Sequence, residues 1–206
     1  MITMKNKSNI TAEEALQRLK DGNQRFLKGE PFLSSFPRET LAELAKGQNP
    51  FATILGCSDS RVPTDIIFHA GLGELFVIRV AGNVMSHEVA GSMQYAGTHL
   101  QTPLIVVLGH EGCGAIQAAL ATKHKGAKQH SRIQILVDSI LPAIKDIDPS
   151  LKHRELMAQA VELNVRWTVK TIMESPEGKA RKAEGVIKVV GAVYEIETGR
   201  VRFLEE

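Results

Sequence analysis

The sequence contains little of what several specialised classes of protein need. Its 206 residues include only two cysteines, one tryptophan and two tyrosines, and 25 basic residues nearly balance 23 acidic ones, giving a formal net charge of +2. Two cysteines exclude a disulfide-rich extracellular scaffold. The charges form no long basic run, and few aromatic side chains are available to stack on bases. We therefore expect no nucleic-acid partner.

Long hydrophobic runs are also missing. No stretch approaches the roughly 20 apolar residues that span a bilayer, and the first ten residues, MITMKNKSNI, lack the apolar centre of a secretory signal. We expect a soluble, cytoplasmic protein with no membrane partner. In a reducing cytoplasm, two cysteines are more often metal-binding, catalytic or simply buried than joined in a disulfide.

The residues that are present predict one α/β domain over residues 1–206. With 43% hydrophobic positions the chain is long enough to bury a full core and short enough for a single domain. Three short and nearly all-apolar segments, FATILG, ELFVIRV and PLIVVLG, are typical of strands covered on both faces of a parallel sheet. Segments with helical spacing lie between and after them, at residues 86–100, 114–126, 131–147 and 150–174.

The sequence predicts one further element at each end of the chain, a helix at the N-terminus and a strand of the sheet at the C-terminus. Thr11 and Glu14 form a capping box for a helix over residues 12–29, an N-terminal helical arm that packs on its own chain or on another subunit. GVIKVVGAVYEI, the turn residues ETG and then RVRFLE predict a last strand leading into an antiparallel hairpin. The predicted fold is a central, mainly parallel sheet flanked by helices, with this arm and a C-terminal antiparallel hairpin strand.

Reactive side chains follow two of the predicted strands directly. Cys57 comes after FATILG, while His110 and Cys113, in HEGC, come after PLIVVLG. In open α/β sheets, sites form at the carboxyl ends of the strands, so these three side chains can converge on one ion. Two thiolates and one imidazole favour zinc, and three protein ligands leave the fourth position of a catalytic site open. From spacing alone, two ordinary buried cysteines and a satisfied core histidine remain an alternative.

The motifs CSDSR at 57–61, AGN at 81–83 and HEGCG at 110–114 closely resemble those of the β-class carbonic anhydrases. The resemblance runs from about Thr11 to the C-terminal hairpin. It implies a lyase that reversibly hydrates carbon dioxide to bicarbonate and a proton by a zinc-bound hydroxide, because zinc lowers the pKa of bound water to about 7. Cys57, His110 and Cys113 would be the zinc ligands. Asp59 and Arg61 would form a catalytic dyad that orients the hydroxide.

The resemblance also implies a substrate pocket built from two subunits. Gln48 matches a glutamine that hydrogen-bonds substrate, and Phe76 and Tyr95 match the aromatic lining that keeps a small apolar gas near the metal. Phe76 and Tyr95 also have a plain interpretation as core residues. We expect a homodimer or a tetramer.

Two other functions fit the same fold. One is hydrolysis of a related heterocumulene, such as carbon disulfide or carbonyl sulfide, by the same nucleophile. The other is a non-catalytic, assembly-type scaffold that keeps the fold, with or without the metal. The complete set Cys57, Asp59, Arg61, His110 and Cys113 argues against the scaffold.

Overall fold

The computed structural model describes residues 10–32 and 37–205 of the chain. Within these ranges the strands are β1 Ala52–Gly56, β2 Leu75–Arg79, β3 Leu104–His110, β4 Lys188–Tyr194 and β5 Val201–Phe203. The helices are α1 Ala12–Leu27, α2 Arg38–Leu44, α3 Thr64–Ile67, α4 His87–Tyr95, α5 Gly114–Lys125, α6 Ser131–Ile140, α7 His153–Glu174 and α8 Pro176–Ala183. No helix in the described ranges is long and apolar enough to cross a membrane.

The strands form one five-stranded sheet in the order β2-β1-β3-β4-β5. The first four strands are parallel, and β5 pairs antiparallel with β4. This topology confirms the predicted mainly parallel sheet with a C-terminal antiparallel strand. Every residue of β1 and β3 is buried because helices cover both faces, which explains the lack of polar alternation in these strands.

Alternate residues of the strands build two core layers. Leu55, Ile105 and Val107 pack in one layer, towards α4, α5 and α7. Ile54 and Val106 pack in the other, which includes residues of α1, α3 and β5. The sheet is therefore the rigid support on which the ends of β1 and β3 are fixed next to each other.

Helix α1 packs on its own chain. Its predicted capping box is present, with Thr11 N–H donating to Glu14 Oε2 at 2.8 Å and Glu14 N–H donating to Thr11 Oγ1 at 3.2 Å. Leu19 is fully buried, and Asn23 bonds both to the Ile67 carbonyl and to the Val201 N–H. Of the two alternatives for the arm, the structure has the first, so α1 does not by itself require a second subunit.

Three short helices were not predicted, because four to eight residues give too little periodicity to detect. Helix α2 differs from the others in having no buried residue, and Leu41 on it is 47% exposed.

Prolines account for two further differences between the predicted and the observed helices. Pro142 ends α6 at Ile140 and leads into a 3₁₀ turn, and Pro176 starts α8 as a separate helix immediately after α7.

Candidate metal centre

The carboxyl ends of β1 and β3 bring three metal-binding side chains together. Gly56 on β1 pairs with Leu108 on β3, so Cys57 follows β1 close to the point where His110 ends β3. Cys113 immediately precedes α5. The two sulfur atoms and one imidazole nitrogen all lie within 4.8 Å of one another, and all three residues are buried. The structure thus brings these predicted residues into one cluster, called here the metal centre.

The orientation of His110 fits a metal ion. Its Nδ1 lies 2.9 Å from the Glu111 carbonyl oxygen, which accepts the Nδ1–H and leaves the lone pair on Nε2. Nε2 is buried and has no hydrogen-bond partner among residues 10–32 and 37–205. A buried polar atom without a partner is costly, and a ligated metal ion removes that cost.

The two thiols affect each other's ionisation. A hydrogen bond from the Cys113 thiol lowers the pKa of Cys57 against the opposing effect of burial, and the Gly82 N–H adds to the lowering. The same bond, together with burial, raises the pKa of Cys113. Cys57 is therefore the more acidic of the two thiols, and binding of a metal ion by both sulfur atoms would release both thiol protons.

Asp59 and Arg61 form a tight ion pair beside the metal centre. Arg61 donates from Nε to Asp59 Oδ1 at 2.9 Å and from Nη2 to Oδ2 at 2.7 Å, and its backbone N–H also donates to Oδ1 at 3.0 Å. These bonds hold the pKa of the Asp59 carboxyl well below its usual range. Asp59 Oδ2 lies 3.8 Å from His110 Nε2. An ionised carboxylate, with fixed orientation, therefore faces the metal centre.

Arg79 holds the loop that carries Cys57 and Asp59, a contact that sequence reasoning missed. Its Nε donates to the Cys57 carbonyl at 2.9 Å and its Nη2 donates to the Asp59 carbonyl at 2.6 Å. The available signal was a charged residue at the end of the otherwise apolar strand β2.

Among the described residues, no hydrogen bond joins the other three predicted site residues, Gln48, Phe76 and Tyr95, to the metal centre. Phe76 on β2 pairs with Thr53 on β1. Thr53 lies four residues before Cys57, which corresponds to about 13 Å along the strand. Tyr95 is 46% exposed and lies 6.0 Å from the Phe76 ring and 5.0 Å from the His99 ring, measured between centroids. We call these three rings the aromatic patch. Gln48 is exposed in the segment between α2 and β1.

The fold and the site together define an α/β protein with a buried Cys-His-Cys cluster at the carboxyl edge of a parallel sheet. Residues 52–201 match the family model described as carbonic anhydrase. Carbonic anhydrase 2 of Mycobacterium tuberculosis is 39% identical over 196 residues, 93% of this chain and 92% of that protein. The carbonic anhydrase of Mycolicibacterium smegmatis is 37% identical, with 94% and 93% of the two chains covered.

Solved structures agree with the sequence relatives. A tetrameric β-carbonic anhydrase from Sordaria macrospora superimposes with a TM-score of 0.76 at 27% identity, covering 82% of this chain and 87% of that one. The chain belongs to the carbonic anhydrase family, in its β class. This confirms the family that the three motifs indicated.

Proposed function

We propose that this protein catalyses the zinc-dependent, reversible hydration of carbon dioxide to bicarbonate and a proton. The observation that carries the proposal is the convergence of Cys57, His110 and Cys113, with a buried His110 Nε2 that lacks a partner among the described residues. Membership of a carbonic anhydrase family supports the same reaction.

Cys57, His110 and Cys113 would hold the zinc ion. Thiolates and imidazole are the donors that zinc prefers, and three protein ligands leave one position for water or substrate. When bound, zinc supplies a nucleophile at neutral pH by lowering the pKa of a coordinated water to about 7. The bond from His110 Nδ1–H to the Glu111 carbonyl would leave the Nε2 lone pair available to ligate the ion.

Asp59 would orient the nucleophile, and Arg61 would orient Asp59. Because the carboxylate stays ionised, it only accepts hydrogen bonds. Oδ2 would accept a hydrogen bond from the nucleophile and direct its lone pair towards the carbon of carbon dioxide. Arg61, held to both carboxylate oxygens, prevents Asp59 from rotating away.

Gln48, Phe76 and Tyr95 would line the pocket of a second subunit. Phe76 lies about 13 Å along the strands from its own Cys57 position, and the Tyr95 ring is exposed, so neither closes the site of its own chain. We propose a homodimer as the smallest active unit, with a tetramer as the alternative that the Sordaria relative supports. We also propose that residues 1–206 act as one cytoplasmic domain.

A stopped-flow pH-indicator assay tests the reaction. The zinc-loaded protein should acidify the buffer on mixing with carbon dioxide, and Asp59→Asn should reduce that rate roughly 100-fold while zinc content stays unchanged. The matched control is Asp138→Asn, an exposed aspartate of α6, which should keep the full rate.

The same assay with carbon disulfide separates the alternatives. Hydrolysis of carbon disulfide without hydration of carbon dioxide would favour a heterocumulene hydrolase. Zinc binding without turnover of either compound would favour a scaffold and contradict the proposal.

A further inference from the structure

The turn after β2 reaches the sulfur of Cys57 through one backbone group. This 3₁₀ turn, Ala81–Asn83, places the Gly82 N–H 3.4 Å from Cys57 Sγ. Gly82 has φ +73°, which favours glycine, and a Cβ there would lie 3.0 Å from Ile140 Cδ1 and 3.1 Å from Ala115 Cβ. The glycine is therefore needed for the close approach, but its free rotation would also let the N–H turn away from the sulfur.

Helix α7 supplies the contacts that fix this turn. Asn164 is 1% exposed and donates from Nδ2 to the Gly82 carbonyl at 2.8 Å, across 82 positions of sequence. One helical turn later, Thr168 Oγ1 donates to the Asn83 carbonyl at 3.3 Å. Burying polar groups on a core-facing helix is unfavourable unless they are hydrogen-bonded. These bonds satisfy the Nδ2 donor of Asn164 and the hydroxyl donor of Thr168, whereas Asn164 Oδ1 has no partner among the described residues.

We propose that Asn164 is a positioning residue of the metal centre, which aims the Gly82 N–H at Cys57 Sγ by holding the Gly82 carbonyl. The two peptide groups that flank Gly82 are linked only through its φ and ψ. On the N-terminal side, the Val80 N–H donates to the Gly56 carbonyl at 3.1 Å, so once the Gly82 carbonyl is also held, the Gly82 N–H between these two anchors has little freedom to turn. That N–H partly neutralises the charge on the sulfur and limits the orientation of the Cys57 side chain, so loss of Asn164 changes how Cys57 ligates a metal.

Thr168 provides a matched control for this role. It lies on the same face of α7 as Asn164 and is similarly buried, and it also bonds one carbonyl of the same turn. Its target is the Asn83 carbonyl, which is one peptide further from the Gly82 N–H. Asn164→Ala and Thr168→Ala should therefore lower the melting temperature to a similar extent, whereas only the first should alter the metal centre.

The experiment uses cobalt(II) and zinc as probes of the full-length protein. We expect Asn164→Ala to shift the sulfur-to-cobalt charge-transfer absorption. It should also weaken zinc binding about tenfold in a chelator competition, which is the usual effect of losing a residue that orients a metal ligand. Thr168→Ala should leave the band unshifted and zinc affinity within about twofold of wild type. If neither variant moves the band or the affinity, Asn164 has only a structural role and the inference is wrong.

A second variant covers the case in which Asn164→Ala fails to fold. Asn164→Leu keeps the branched shape of the side chain but has no hydrogen-bond donor, so the same band shift is expected, and an unshifted band would contradict the inference. The inference rests on the proposed metal centre, and the experiment separates the two. Absence of a sulfur-to-cobalt band in wild type would contradict the centre itself, whereas a normal wild-type band that Asn164 variants retain would contradict only the role of Asn164.

Discussion

The metal centre and the aromatic patch differ in how completely one chain builds them. Cys57, His110 and Cys113 are buried, and contacts from several elements of the same chain orient them. Phe76 and Tyr95 contact each other, but Tyr95 is 46% exposed and the Phe76 position is about 13 Å from Cys57 along the strands. The comparison shows that one chain builds the whole metal centre, and it supports the proposal that a second chain contributes to the walls of the pocket.

Removing a histidine from each region should give the largest contrast. His110→Ala should lower zinc affinity by more than about 100-fold and abolish activity. Even the loss of a residue that only orients a metal ligand lowers metal affinity roughly 10- to 100-fold, and loss of the ligand itself should cost more. His99→Ala, in the aromatic patch, should retain about one zinc per chain. Metal analysis after dialysis against a weak chelator measures both. Since His110 is fully buried, Cys113→Ser serves as a second variant, and full zinc occupancy in either would contradict the ligand assignment.

Truncating the exposed aromatic ring should affect assembly rather than folding. Tyr95→Ala should weaken subunit association about tenfold, as expected for a buried interface aromatic worth roughly 1.4 kcal/mol, while unfolding of the subunit changes by less than about 0.5 kcal/mol. Sedimentation over a dilution series measures the association. Ile135→Ala, at a residue of α6 that is 58% exposed, is the control. An unchanged association constant together with full activity would show that Tyr95 lies outside the subunit contact.

The smallest expected effect is on stability and concerns Glu162, which lies outside both the metal centre and the aromatic patch. Glu162 of α7 accepts hydrogen bonds from Arg166 and from Arg202 of β5. Partial burial raises the pKa of Glu162, but the bonds and charges of these arginines outweigh it, so the net shift is downward. The stabilisation is therefore present above the unfolded-state pKa of about 4.3 and is lost as the pH falls through the lower folded-state value.

Glu162→Gln should accordingly lower the free energy of unfolding by up to about 1 kcal/mol at pH 7, and the difference should shrink below about pH 4. Urea unfolding at several pH values measures it, and the rate of carbon dioxide hydration should not change. If the substitution lowered the free energy of unfolding more at low pH than at pH 7, the prediction would be wrong.

Much of the fold and the metal centre could be predicted because local patterns specify them. The apolar segments around Ile54 and Val106 predicted buried parallel strands, and ligands at the ends of two such strands predicted the cluster. Helices α2, α3 and α8 escaped prediction because they are shorter than the window in which helical periodicity appears. Arg79 escaped because its bonds reach across 20 and 22 positions of sequence.

By itself, the sequence determined which side chains meet at the sheet edge, because parallel strands deliver whatever follows them to the same side. It left open whether α1 packs on its own chain, and the structure decided this through the bonds from Asn23 to residues that are 44 and 178 positions away. Only tertiary structure also places Asn164 against Gly82, and Gly82 against Cys57. The physical reason is that side-chain spacing follows from local backbone geometry, whereas contacts between distant segments depend on how the layers pack.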